Sequence, residues 1–284
     1  MKCRTPAVLL LVSLLVTGCA MAPVAAPTLP SSPTEGPAPA EQPATPPPEP
    51  AAPPPEPAAP PEPAVSWVVR GHWGPVYTEN PSAGETKAAV LTFDDGPSEE
   101  YTGHVLDTLK EHGAKAIFFV NGHAARHPDL IRRIVAEGHT LGNHTMTHEN
   151  LDTLSPAQQR SQIDGVNQII KEITGQQPYW FRAPFGAFDD DTLAILSDLH
   201  MQLLNWSHGS GDWMEVEDGY KDPAIVIHDV LSETPRNSNM TPLHPGAVIL
   251  FHDTLRHTAE SLPEIIKGLK EMGYTFVIPE PSRS

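Results

Sequence analysis

Five groups of residues in this chain each suggest a chemistry, and most of them follow an apolar stretch. Asp94 and Asp95 stand side by side after Val90-Leu91-Thr92-Phe93, and Gly96-Pro97 turns the chain away. Adjacent carboxyls at the exit of a buried run need a cation or hydrogen-bond donors as compensation. A plain turn or helix-capping pair would satisfy the same need. His144 and His148 are four residues apart, a spacing that puts two imidazoles on one face of a helical turn, where they can share a metal ion. In a chain with 14 His, a surface pair explains them about as well. A carboxylate such as Asp95 would complete a two-His, one-Asp set with room for water, which suits catalysis rather than structure. Such nitrogen and oxygen donors fit Zn2+, with Co2+, Mn2+ and Ni2+ as alternatives.

Arg182 follows Tyr179-Trp180-Phe181 and precedes Ala183-Pro184-Phe185-Gly186. A cation ending an apolar stretch calls for an anion, and a guanidinium clamps a carboxylate through two parallel bonds. A structural ion pair and a catalytic one are both open at this point. Trp206 and Asp212-Trp213 come after the run Met201–Leu204; tryptophans stack on sugar faces, and as often fill cores. His252 ends the run that begins at Ala247. Its ordinary pKa lies near neutrality, which makes it a candidate general acid or base.

Such residues need a scaffold that gathers strand ends. The apolar runs Ala88–Phe93, Ala116–Val120, Met201–Leu204, Ala247–Phe251 and Tyr274–Ile278 are short and rich in β-branched or aromatic residues, as buried strands are. Helical spacing lies between them. Ser155-Pro156 opens one helix, with Ile163, Val166, Ile170 and Ile173 on one face and Gly175 as its stop. Leu130, Ile131, Ile134 and Val135 precede Gly138, and Leu262, Ile265, Ile266 and Leu269 precede Gly273. The alternation predicts a parallel sheet covered by helices, as an open doubly wound sheet or as a barrel. Both place chemistry at the C-terminal ends of strands.

Composition sets the limits. The chain has 284 residues, 33 Pro and 2 Cys, and a net charge of −17. So acidic a surface repels polyanions and excludes nucleic acid as a partner. Both cysteines, Cys3 and Cys19, precede the folded region, so disulfides and cysteine-zinc sites are excluded there. Residues 19–64 are Ala/Pro/Glu low complexity, with Pro-Pro-Pro-Glu-Pro-Ala-Ala-Pro repeated. Proline removes donors and fixes φ, so this stretch reads as a disordered, polyproline-type spacer. Residues 65–284 remain as one domain with a sizeable core. At the start, Lys2 and Arg4 precede an apolar run, Ala7 to Val16, shorter than the roughly 20 residues a spanning helix needs. Val16-Thr17-Gly18-Cys19 resembles a bacterial lipobox, which implies a signal peptide over residues 1–18 and lipidation of Cys19. An ordinary secretory signal is the alternative. Lipidation implies a membrane-tethered protein exported to the cell envelope. Ala20 favours the outer membrane, at its periplasmic face or the cell surface, if the source has two membranes.

Together, Thr92-Phe93-Asp94-Asp95-Gly96-Pro97, His144-x-x-x-His148, Arg182-x-Pro184-Phe185-Gly186, Asp212-Trp213 and Leu250-x-His252 resemble, in order and spacing, the polysaccharide deacetylase family. This is the NodB-homology domain of carbohydrate esterase family four, and the resemblance runs from about Ala88 to Ile278. It implies an α/β fold, a distorted (β/α) barrel with fewer strands than the eightfold type. It implies a metal-dependent hydrolase acting on N-acetylated sugars. By the same resemblance Asp95, His144 and His148 hold the metal. Asp94 is the general base, steadied by Arg182, and His252 is the general acid, tuned by Asp212. Leu250 and Trp213 line an acetyl pocket, and the Phe185 N–H helps stabilise the oxyanion. The fourth motif departs from the family pattern, with Gly209 and Gly211 where members often carry Asp and Arg. Two glycines predict a looser loop there, with His208 exposed and the acidic insert Met214–Asp222 solvated. The expected substrate is N-acetylglucosamine-containing polysaccharide of the cell envelope, peptidoglycan or a chitin-like glycan. An O-acetyl-xylan esterase and a non-catalytic glycan-binding lipoprotein are the alternatives. Nothing in the sequence names a protein partner.

Overall fold

A computed structural model describes residues 87–214, 221–232 and 242–279, together with two short strands, β1 (Trp67–Val68) and β2 (Tyr77–Thr78), which pair antiparallel. All belong to one compact unit, Ala59–Ser284. The expected signal peptide, Cys19 and the proline-rich spacer lie outside the described residues. Among the described residues no helix is long and apolar enough to cross a membrane.

Among the described residues the main sheet has eight strands: β3 (Lys87–Asp94), β4 (Ala116–Val120), β5 (Thr140–Asn143), β6 (Trp180–Phe181), β7 (Gln202–Leu203), β8 (His208–Gly209), β9 (Ala247–His252) and β10 (Tyr274–Phe276). Every pairing is parallel, in the order β7-β6-β5-β4-β3-β9-β8, with β10 beside the first residues of β3. This is a curled half-barrel of parallel strands, in line with the barrel expected. Parallel strands need crossover connections, usually helices, and among the described residues six α-helices lie between the strands: α1 (Thr102–Glu111), α2 (Pro128–Ala136), α3 (Pro156–Thr174), α4 (Asp190–Asp198), α5 (Pro223–Leu231) and α6 (Arg256–Glu271). Helix α3 starts and stops where expected. Ser155 forms a capping box with Gln158, and Gly175 ends the helix at φ 73°, where a side chain would be strained.

Period-two alternation decides which side chains face inward. On β3, Leu91 and Phe93 pack outward in the large cluster under the helices, while Val90 faces the interior with Ile117, Phe119, Trp180 and Val248. Asp94 keeps step with Val90 and Thr92, so it also points inward. The same count on β9 puts His252 in phase with Val248. Register then aligns the two polar ends, because Asp94 pairs with His252 across β3 and β9. Gly142 on β5 gives Phe119 its place. A Cβ there would lie 2.4 Å from the Phe119 ring.

Candidate active site

At the C-terminal end of the half-barrel, the residue after β3 and two residues after β5 converge. One ligand atom each from Asp95, His144 and His148 lies within 4.8 Å of the others. Asp95 Oδ1 is 3.6 Å from His144 Nε2 and 3.4 Å from His148 Nε2. That oxygen is buried and has no hydrogen-bond partner. A buried carboxylate oxygen left bare is costly, and a cation among these three side chains would remove the cost. The donor set also fits: His144 Nδ1–H donates to the Arg182 carbonyl at 2.8 Å, so the lone pair on Nε2 faces Asp95. Burial, with the neighbouring His148 adding to it against the pull of Asp95, holds the His144 pKa far below its usual value. The ring is therefore neutral, as a metal ligand must be.

Backbone geometry shows how tightly this corner is held. Four of the five non-glycine residues with positive φ among those described are Asp95 (71°), Thr145 (66°), His148 (57°) and Phe185 (58°). Each such residue costs about 1–3 kcal/mol, and such strain clusters at functional sites. Neighbouring side chains hold the corner in place. Asn121 Nδ2–H donates to the Asp95 carbonyl at 3.2 Å. Asn143 Oδ1 accepts from the Thr145 N–H at 2.8 Å, and its amide is fixed by Asn167 and the Ile163 carbonyl. Here the sequence expectation needs correction. His144 and His148 do not sit on a helical turn but on an irregular loop after β5, and two left-handed residues rather than helical pitch bring the rings together.

Beside this cluster lie two acid–base candidates of opposite character. Asp94 is 2% exposed and accepts from Arg182 at 2.8 Å. Arg182 is fully buried over the Phe119 ring, and it also donates to Thr92 Oγ1 and the Leu204 carbonyl. Burial raises the Asp94 pKa, and the Arg182 charge only partly opposes that. The result is a more basic carboxylate than usual, still paired with a cation. His252 lies opposite, its Nε2 3.8 Å from Asp95 Oδ2. Asp212 accepts from His252 twice, from Nδ1 at 2.9 Å and from the backbone N–H at 2.8 Å, and from the Thr258 hydroxyl at 2.7 Å. Burial alone would push the His252 pKa down; the charge and hydrogen bond of Asp212, with Asp94 and Asp95 behind, lift it to about 9. Burial would raise Asp212, but His252 outweighs it and the carboxyl is held low. The pair is an ionised carboxylate and an imidazolium.

A cavity of about 380 Å³ opens onto these groups. Asp94, Asp95, His144, His148 and His252 form its polar wall, and Phe185, Trp206, Trp213 and Leu250 its apolar one. Every site residue expected between 94 and 252 is therefore at or beside one cavity. Arg182 and Asp212 stand behind it, in contact with Asp94 and His252. Phe185 and Trp213 are the two large apolar side chains left exposed among the described residues. Trp206, which the sequence left between core and site, belongs to the site. Thr92 stands in the first sequence motif without an assigned role, and Asn121 went unnoticed; the only signal for either role was position at or near a strand end. His208 is buried, not exposed, with its Nε2 at 3.1 Å from the Val230 carbonyl. Most of the acidic insert lies outside the described residues.

Comparison with known proteins agrees with this geometry. The polysaccharide deacetylase profile matches residues 82–204. The peptidoglycan-N-acetylglucosamine deacetylase of Bacillus cereus is 34% identical over 219 residues, 73% of this chain and 74% of that one. The peptidoglycan-N-acetylmuramic acid deacetylase PdaA of Bacillus subtilis is 36% identical over 192 residues, 67% of this chain and 69% of that one. Among solved structures, a mutant with restored enzymatic activity of a CE4 family pseudoenzyme from Bacillus anthracis superposes with a TM-score of 0.60 at 33% identity, covering 67% of this chain. This chain spans 65% of that solved one, just under two thirds. The half-barrel, the order of its motifs and these likenesses lead to one conclusion: the chain belongs to the polysaccharide deacetylase family, carbohydrate esterase family four, and is a hydrolase of that family.

Proposed function

We propose that the protein is a metal-dependent N-deacetylase of N-acetylglucosamine-containing polysaccharide in the cell envelope, peptidoglycan or a chitin-like glycan, and that it releases acetate. The observation that carries this reading is the bare, buried Oδ1 of Asp95 facing two neutral-capable imidazoles, with a basic carboxylate and an imidazolium on either side. Asp95, His144 and His148 would hold the cation, Zn2+ first, with Co2+, Mn2+ or Ni2+ as substitutes. A bound divalent cation supplies Lewis-acid charge for the amide carbonyl and makes water more acidic. The remaining steps fall to this chain's side chains. Asp94 accepts a proton from the water that attacks the acetyl carbon. Arg182 fixes the Asp94 carboxylate through Oδ1. The Phe185 N–H stabilises the oxyanion. His252 donates its Nε2 proton to the departing nitrogen as the C–N bond breaks, because an amine leaves poorly as an anion. Leu250 and Trp213 receive the acetyl methyl group.

Lipidation at Cys19 would tether the domain to the membrane, within reach of envelope glycan; relatives named for peptidoglycan support that location. A non-catalytic reading has one observation in its favour, the similarity to a family pseudoenzyme. The test is acetate release by the full-length, detergent-solubilised, metal-assayed protein on N-acetylglucosamine oligomers, peptidoglycan and acetylxylan. Acetate from the first two, abolished by chelation and restored by Zn2+, is expected. Acetate from acetylxylan alone would make it an esterase, and bound metal with no acetate from any glycan would make it a binding protein.

A further inference from the structure

The loop of the fourth motif is not loose. Ser207 to Asp212 are all buried, and the Ser210 N–H donates to the Leu250 carbonyl at 3.1 Å. Its two glycines are filled from elsewhere. The Trp213 ring lies on Gly209, where a Cβ would come within 2.6 Å of it. Gly211 is left-handed, at φ 66°, and the space its side chain would take is occupied by Asp229 Oδ2 and Lys221 Nζ, at 3.2 and 3.3 Å from that position. Lys221 is 4% exposed and Asp229 2%. Lys221 Nζ donates to the Gly211 carbonyl and lies 3.6 Å from Asp229 Oδ2. Lys221 comes just before α5 and Asp229 lies within it, so the pair ties that helix to the residue preceding Asp212.

A buried ammonium is expensive unless it is paired and used. Here it is spent on one carbonyl, and the next residue supplies both carboxylate bonds to His252. We propose that Lys221 and Asp229 are positioning residues of the reaction: their buried pair grips the Gly211 carbonyl and so sets the Asp212 carboxylate and the Trp213 ring against His252 and the acetyl group. The inference rests on the hydrolase reading for its kinetics but not for its structural readout.

Three full-length variants test it: Lys221→Met, the double variant K221M/D229N, and Lys221→Arg. Removing one member of a buried pair destabilises, whereas neutralising both is often tolerated. The double variant should therefore recover thermal stability without recovering function. Its kcat on N-acetylglucosamine oligomers should fall about 10–100-fold, as expected for a misplaced catalytic group, with KM and bound metal near wild type. The low-field proton of His252 Nδ1–H, read by NMR on ¹⁵N-histidine-labelled protein, should shift. Lys221→Arg should keep kcat within about threefold and leave that proton in place. A double variant with wild-type kcat and an unmoved His252 proton overturns the proposal, as does metal loss in step with kcat. Should neither methionine variant fold, Lys221→Arg decides: a loss beyond about tenfold with the His252 proton unmoved overturns it. If the wild-type protein releases no acetate from any glycan, the hydrolase reading fails by itself, and the His252 proton still decides the positioning claim.

Discussion

Asp94→Asn separates the roles assigned around the cavity. The substitution keeps shape and one acceptor for Arg182 but removes the charge. Arg182, fully buried, then keeps Thr92 Oγ1 and the Leu204 carbonyl as acceptors and loses its anion. Breaking a buried pair from one side costs about 3–5 kcal/mol, and the retained Asn acceptor points to the lower end. At about 2–4 °C per kcal/mol for a domain of this size, Tm should drop by about 6–12 °C. Loss of the base should lower kcat by about 10²–10⁴. Metal content should not change, although Asp94 Oδ2 lies only 3.8 Å from His144 Nε2, because Asp94 is not one of the three proposed ligands. Calorimetry, acetate release and elemental analysis on one preparation read all three quantities. Metal lost along with activity would make Asp94 a ligand and refute the division between the two adjacent acids; unchanged kcat would refute its role as base.

Other predictions concern the scaffold. His139 is buried, with its Nδ1 accepting from the Ala116 N–H and its Nε2 without a partner. Burial first, then the Lys115 charge, push its pKa down to about 4. Below pH 6.5 the unfolded chain takes up a proton that the folded ring refuses until about pH 4. Stability should therefore fall over that window by up to about 3 kcal/mol, and His139→Phe should flatten the slope of urea-derived ΔG against pH there; an unchanged slope would contradict the assignment. Gly142→Ala drives a methyl into the Phe119 ring, at a cost of about 1–3 kcal/mol. Because Arg182 rests on that ring with its guanidinium carbon 4.2 Å from the centroid, kcat should fall too. A drop in urea midpoint with kcat intact would show that the ring does not set Arg182.

Much of this protein is readable in one dimension. The runs at 88–93, 116–120 and 247–251 became β3, β4 and β9 within a residue or so, because buried strands need unbroken apolar sequence. Helix α3 was bounded by Ser155-Pro156 and Gly175 because caps are local chemistry. Strands β5 and β6 were harder to see. Thr140–Asn143 carries Gly and Asn, and Trp180–Phe181 is two residues long, so neither has a period to detect. They are strands only because β4 on one side and β7 on the other complete their hydrogen bonds.

The same division runs through the site. Residue types, their order and their place after apolar runs are properties of the chain, and they suffice to name the family and the candidate acids, bases and ligands. What they could not specify is set by contacts between residues far apart in sequence. Register across β3 and β9 brings Asp94 level with His252, and left-handed turns held by Asn121 and Asn143 aim Asp95 and the two imidazoles at one point. A buried lysine from just before α5 fills the place of a side chain absent at Gly211. Local sequence encodes the backbone's preferences, but convergence costs strain and desolvation that only long-range packing can offset, so it exists only in the folded molecule.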